Sequence, residues 1–581
     1  QLNFFPPPTT ASPPLHFTPA ATTWPRQIAM PRRSPPATMG QEPLMGHSMS
    51  ESLASLQRIV GMDNPDLLET TTGEFLKFMY DAIPDPPVSP AARLASAVAA
   101  RAPADGVDRI SRLPDQILRN VVSRLPAKDA AHTGALARRW RGLWCSAPLV
   151  ITDEHVLPGR LPAGRMAPRG DDVVSKAVVA AVSRAMAAHQ GPIRSFHLTR
   201  GHMASHEAEA ERWLKLLAAK GVQELVFFNH PWPLDFPLPA AAFSCVSVTH
   251  LQLGVWRLPD TAALPRNTRF PHLRDLVLSL ILMRDHDLAF FVEKSPVLEN
   301  LAIIGSQLPV HLRVVSRSLR CVQLGMCRGI VSVVDAPRLE RLLLWMTLHL
   351  EERSRIKIGH APNLRMLGYW QPEHYELEIG STVIKESTKV RPSTIVPTVR
   401  MLALEVQFEV CNDVQMVPCF LKCFPNVETL HVYSQQAEPT GKLDIMFWQE
   451  AGPIECVHSH VKKFVFQQFR RKRSELMFLK FIAERAQVLK QMFVMMSLES
   501  FSSEDDMKTK MKLLTMVKWA SKNCMLIFVM NPGYPATAQG SPSWSFHKAS
   551  DSSCMDPFDL RTVEKESWVI HHSSSPISYE V

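Results

Sequence analysis

Eleven times between Ile193 and Phe466 the chain repeats one phrase: an apolar residue, two variable residues, an apolar residue, one variable residue and a third apolar residue. The units are Ile193-Phe196-Leu198, Val222-Leu225-Phe227, Val248-Leu251-Leu253, Leu273-Leu276-Leu278, Leu298-Leu301-Ile303, Leu319-Val322-Leu324, Leu339-Leu342-Leu344, Leu364-Leu367-Tyr369, Val399-Leu402-Leu404, Val427-Leu430-Val432 and Val461-Phe464-Phe466. Their starts are separated by 29, 26, 25, 25, 21, 20, 25, 35, 28 and 34 residues. A strand alternates its side chains, so the last two apolar positions turn to one face of a sheet and the residue between them to the other. A period of this length predicts a solenoid in which each unit adds one strand to a parallel sheet. The outward set is His197, Val226, Gln252, Val277, Ala302, Gln323, Leu343, Gly368, Ala403, His431 and Val465. This mixed, partly apolar set suits a protein or peptide ligand, whereas a phosphate backbone calls for repeated Lys or Arg. Prolines precede several units, as in Phe270-Pro271-His272-Leu273 and Ala361-Pro362-Asn363-Leu364, where they stop one segment and turn the chain into the next strand.

Ahead of the repeats the period changes. Leu113-Pro114 and Leu125-Pro126 sit where two short helices should begin, since proline fixes φ near the helical value and loses no hydrogen bond in a first turn. Ile117, Leu118, Val121, Val122 and Leu125 follow the first pair at helical spacing, which predicts one apolar stripe. Leu136, Trp140, Leu143 and Trp144 recur on one face of a third helix among Arg138, Arg139 and Arg141. Periodicity alone also fits an ordinary helical linker domain.

The order of residues adds more. Leu113 to Leu118, Ser123 to Ala130 and Leu136 to Trp144 closely resemble the plant F-box, with its LP-x-x-IL, SRLP-x-K-D-A and L-x-RRWR-x-LW segments. The departures are His132-Thr133-Gly134 in place of Arg-Thr-Ser, and Val121-Val122 in place of Ile-Leu. Gly134, read as a helix-interior residue, costs roughly 1 kcal/mol. The repeats and their leading prolines resemble the irregular leucine-rich repeats of plant F-box proteins. The order after residue 452 resembles the FBD domain: a strand to Phe469, a helix from Glu475 to Ala486, a strand over Val488–Ser497, a helix over Asp505–Ala520 and a strand over Cys524–Val529.

The fold expected from this resemblance is α/β: a small helical F-box, a curved leucine-rich-repeat solenoid and an α+β C-terminal cap. Its divisions are a Pro/Ser/Ala-rich disordered region over 1–107, the F-box over 108–151, the repeats over 190–451, a last repeat strand plus FBD-like domain over 452–530, and a loosely ordered tail over 531–581. Two weak helices, Glu51–Val60 and Pro65–Tyr80, and a helix over Asp172–His189 complete the expectation. The resemblance implies a non-catalytic substrate receptor of an SCF-type ubiquitin ligase. Leu113, Pro114, Ile117, Leu118, Val121, Leu125 and Pro126 would meet an SKP-type adaptor and through it a cullin, with Trp140 and Trp144 fixing the helices and the repeats holding an unidentified target protein. The alternative is a repeat scaffold whose F-box has become structural.

Composition sharpens this by exclusion. With 581 residues the chain needs more than one core. Its net charge of +9 is spread over many segments, which permits contact with nucleic acid without calling for it. No run of eighteen apolar residues suggests a membrane span, and the first forty residues lack the layout of a secretory signal. Arg26, Arg32 and Arg33 have an organelle-targeting flavour, against which the dense prolines argue. Ten cysteines without a CxxC pair read as reduced thiols of a cytosolic or nuclear protein. There is no phosphate-binding glycine loop and no nucleophile elbow, so no catalytic residue or cofactor is expected. His202, His206 and Glu207 lack a third ligand at metal spacing. Arg470, Arg471, Lys472 and Arg473 read as a solvated helix entrance, a nuclear import signal or, less readily, a nucleic-acid contact.

Overall fold

The computed structural model describes residue 83, residues 110–153, most of 172–530, and residues 546–559 and 567–571. Within 172–530 it leaves out 200, 204, 230–235, 307, 346–352, 373, 386, 387, 389, 442–446 and 498–516. The expected helices before residue 81, and most of the one over Asp505–Ala520, lie outside the described residues.

The repeated phrase becomes a ladder. A fifteen-stranded sheet runs in the order β1 (Leu149–Thr152), β2 (Ile193–Leu198), β3 (Glu224–Phe228), β4 (His250–Gly254), β5 (Asp275–Ile281), β6 (Asn300–Ser306), β8 (Cys321–Gly325), β10 (Arg341–Trp345), β12 (Met366–Trp370), β15 (Met401–Val406), β16 (Thr429–Ser434), β17 (Lys463–Phe469), β18 (Gln491–Met496), β19 (Met525–Met530) and β20 (Ser567–His571). Every pairing is parallel except β19 with β20. The register aligns the middle apolar position of each unit: Phe196, Leu225, Leu251, Leu276, Leu301, Val322, Leu342, Leu367, Leu402, Leu430 and Phe464 stand side by side. All eleven are at most 2% exposed. No single unit could bury that face alone; stacking makes it a continuous core.

One unit departs from the phrase. Tyr369 does not join the core row: the register shifts between Leu367 and Trp370, Trp370 pairs with Leu404, and Tyr369 lies among side chains of the opposite face. Gly368 permits this, since its φ is +141° and a Cβ there would lie 2.4 Å from the Ala403 carbonyl oxygen.

What returns the chain between strands varies along the ladder. Helices α5 (Glu207–Ala219), α6 (Asp285–Lys294), α7 (Cys411–Cys423) and α9 (Arg473–Arg485) fill intervals of 25 residues or more. Three of them begin alike. The buried carboxylates of Asp287, Asp413 and Glu475 accept the backbone N–H of Arg284, Gln407 and Arg470, tying each helix to the end of the preceding strand. Between Leu298 and Val399 strands replace the helices. β7 (Val310–Val315), β9 (Gly329–Asp335), β11 (Ser354–His360), β13 (Tyr375–Ile379) and β14 (Thr382–Val383) form a second, five-stranded sheet. β7 alternates, with Val310, Leu312 and Val314 inward and His311, Arg313 and Val315 outward. The eleven-unit count did not anticipate this sheet, although the period-2 pattern of V-H-L-R-V-V is visible in the sequence.

Helix α4 (Asp172–Ala188) falls within its expected bounds, and the short helix α8 (Phe447–Glu450) precedes β17. The tail expected to be loosely ordered contains α10 (Phe546–Ser550), and the stretch from α10 to Asp559 lies on the second face of the main sheet. All ten cysteines are free thiols. Burial pushes those of Cys245, Cys321, Cys327, Cys423, Cys456 and Cys524 up to about 12, so they behave as packed apolar groups. Among the described residues no helix is long and apolar enough to cross a membrane.

Candidate functional site

Three short helices stand before the sheet: α1 (Asp115–Val122), α2 (Ala127–Thr133) and α3 (Arg138–Ser146). Pro114 and Pro126 are the residues just ahead of α1 and α2, with φ of −59° and −51° and extended ψ, so each proline presets the turn into a helix. Arg139 in α3 binds the loop before α1. Its guanidinium donates to Asp115 Oδ1 at 2.6 Å and to the carbonyls of Leu113, at 2.7 Å, and Ser111. The fork geometry of arginine thereby fixes the segment that carries Leu113-Pro114.

The single apolar stripe expected on α1 divides in two. Leu118 and Val122 point inward at 0% and 1% exposure, against Trp140 and Leu143 among others, while Ile117 and Val121 point out at 48% and 41%. Leu118 therefore serves the core and offers no surface to a partner. Ile117 and Val121 are one helical turn apart and form a neighbouring pair on the outer side. Pro114 is exposed, Pro126 is half-buried, and Leu113 and Leu125 are half-buried against the core. Leu136, expected on the buried face of the third helix, precedes α3 and is 70% exposed, and Ile110 is 58% exposed. Four outward apolar side chains, Ile110, Ile117, Val121 and Leu136, thus lie in this one block, where solubility alone would place polar ones.

Trp140 is buried among the helices. Trp144 is half-buried and stacks on His189 just beyond α4, with ring centroids 4.4 Å apart and planes 18° apart. It joins the helices to the solenoid. Gly134 corrects an expectation: it is not in a helix interior but is the residue that ends α2, with φ of −62°. The helix-interior penalty does not apply there.

The outward set of the sheet is more buried than a bare ligand surface. Val226, Gln252, Val277, Ala302, Leu343, Ala403 and His431 are all fully buried. The basic run is a folded turn: Arg470 donates to the Ser434 carbonyl at 2.7 Å, Lys472 pairs with Glu409 at 3.1 Å, and Arg471 has φ of +62°. His202, His206 and Glu207 do not converge on a metal position; among the described residues only Asp260, His286 and Asp287 bring three potential ligands within 4.8 Å. Asp287 there is engaged by the backbone of Arg284 and Thr261 and by the Thr261 hydroxyl, which explains it as a cap.

A helical block with an apolar outer pair, joined to a parallel ladder of leucine repeats, defines an F-box protein of the leucine-rich-repeat class. Residues 110–152 match the F-box domain, residues 210–432 the leucine-rich repeats of the FBD-associated F-box protein At5g56370, and residues 449–494 the FBD domain. The Arabidopsis thaliana F-box/FBD/LRR-repeat protein At1g13570 is 25% identical over 344 residues, 57% of this chain and 77% of its own length. The putative F-box/FBD/LRR-repeat protein At5g44950 of the same plant is 23% identical over 470 residues, 73% of this chain and the whole of its own length. The chain belongs to the plant F-box/FBD/LRR-repeat family. Its domains are those of non-catalytic adaptor-type proteins.

Proposed function

We propose that the chain is a substrate receptor of an adaptor-cullin-RING (SCF-type) ubiquitin ligase. Leu113, Pro114, Ile117, Val121, Leu125 and Pro126 bind an SKP-type adaptor, and the adaptor holds the cullin. The repeats, forming a curved solenoid, hold the target protein, and the strands after the last repeat close the solenoid as a cap. The observation that carries this reading is the outward pair Ile117 and Val121, beside exposed Pro114, in a block that matches the F-box. Exposed apolar side chains that adjoin one another mark a contact surface, where single scattered ones do not.

A pull-down with recombinant adaptor tests the reading. Wild type is retained, and Ile117→Asp/Val121→Asp or Leu113→Ala/Pro114→Ala lowers affinity roughly tenfold or more, in line with loss of central interface side chains. Failure of the wild-type chain to bind would leave a repeat scaffold with a structural F-box.

A further inference from the structure

The second face of the main sheet, opposite the leucine row, carries side chains that a repeat does not require. Arg341 on β10 is 4% exposed, and its guanidinium donates to three backbone carbonyls at the end of α10 and beyond: Ala549 at 2.9 Å, Asp551 at 2.8 Å and Cys554 at 2.8 Å. Gln323 on β8 donates to the Ser550 hydroxyl at 2.8 Å. Farther along the sheet the Phe558 ring, fully buried, sits 5.1 Å from the Tyr369 ring, 5.5 Å from Trp345 and 5.5 Å from His431. Carboxylates flank that ring. Asp556 meets His431 at 3.0 Å and Lys463 at 2.7 Å, and Asp559 meets the same lysine at 2.8 Å.

The contacts read three features of the docked segment: carbonyls ending a short helix, an aromatic ring, and carboxylates two residues before and one residue after it. Segment and face are more than two hundred residues apart in sequence at Arg341. The segment also lies on the fold instead of within it. Of its fourteen residues only Phe546, Ala549, Pro557 and Phe558 are buried, and Met555 is 81% exposed, whereas all six residues of β15 are buried. The face supplies the positive charge and the segment the negative, the arrangement by which interfaces choose partners. A buried guanidinium stripped of its carbonyls would be costly, so the face is built for an occupant.

We propose that this part of the sheet face is a peptide-binding site, occupied in this structure by the chain's own Phe546–Asp559 segment. A target protein displaces that segment by presenting the same chemistry: a phenylalanine flanked by carboxylates, following the C-terminal end of a short helix. The proposal rests on the reading of the repeats as the target-holding part. Its consequence is a receptor that masks its own target site until a better ligand arrives.

A fluorescein-labelled peptide covering residues 545–560 tests it by anisotropy against two full-length chains, wild type and one carrying Asp556→Asn, Phe558→Ala and Asp559→Asn. The expected result is at least tenfold tighter binding to the variant, whose site is vacated, and at least tenfold weaker binding of a peptide in which the phenylalanine is alanine. Equal affinity for the two chains, or indifference to the phenylalanine, overturns the proposal. Deuterium uptake by the wild-type chain decides independently of any variant. Uptake across residues 546–559 rises when an excess of carbon-13-labelled peptide competes for the face, and unchanged uptake refutes the displacement. Adaptor binding by the same preparations reports separately on the receptor reading.

Discussion

Glu405 on β15 is 3% exposed, and burial, only partly offset by a hydrogen bond from Gln371, pushes its carboxyl up from 4.5 to about 7. A carboxyl with a higher pKa in the folded than in the unfolded chain favours folding while both states are protonated. Its contribution is therefore full below about pH 4.5 and is lost as pH rises through about 7, with a span of about 3 kcal/mol. Glu405→Gln should hold the melting temperature flatter than wild type between pH 5 and 8; parallel curves for the two chains would contradict this. Gly368 is the other residue whose environment decides its identity. Alanine there meets the Ala403 carbonyl at 2.4 Å in a backbone conformation that side chains rarely adopt. Gly368→Ala should cost about 2 kcal/mol, read as a melting temperature lower by about 2 °C. Neither effect was legible in the sequence. The letter E at position 405 does not reveal its burial, and Gly368 looks like one more variable position until the bulge that moves Tyr369 across the sheet is seen.

Elements were far more legible than residues. Each of the eleven phrases became a strand, ten of them with both final apolar positions in the core row and the eighth shifted at Tyr369, because a parallel ladder forces equivalent positions to stack, and the stacking selects the same apolar spacing unit after unit. The second sheet was missed for the converse reason. It is confined to the units between Leu298 and Val399, whose lengths run from 20 to 35 residues and give no signal of it, and V-H-L-R-V-V reads as linker when attention is on the longer period. In the helical block the residue types were right and the faces were not: Leu118 turned inward, since a stripe of four residues on an eight-residue helix is wider than two neighbouring helices can cover, and Leu136 turned outward because it lies ahead of α3. Arg139 offers a test at this scale. Arg139→Lys keeps the charge and loses the fork that holds the carbonyls of Ser111 and Leu113. The loop should loosen, weakening adaptor binding severalfold with little change in melting temperature, because the ion pair to Asp115 is solvent-exposed. An unchanged dissociation constant would show that the loop is held by other contacts.

At the scale of the molecule, one cluster of buried apolar side chains runs from Leu118 in α1 to Phe528 in β19. Domain boundaries drawn from composition give no hint of this continuity, since each segment was recognised by its own pattern. The sequence around residue 550, rich in serine and acid, likewise gave no sign of docking, because its partners are scattered over strands from Gln323 to Lys463. The continuous core predicts that F-box and repeats unfold together. Trp144→Ala removes the stack on His189 and should split the calorimetric transition in two, whereas one undivided peak for the variant would show the joint to be held elsewhere.

That joint also bears on reach. A receptor with a slack tether lets its cargo wander, and any lysine on the cargo's surface sooner or later meets the conjugating machinery. Here the indole of Trp144 lies flat on the imidazole of His189, and the F-box helices share their interior with the first strands of the ladder. In the proposed ligase the chain then acts as a ruler. The distance from adaptor to cargo is set by the receptor itself, and the lysines that receive ubiquitin are those that happen to lie at the far mark.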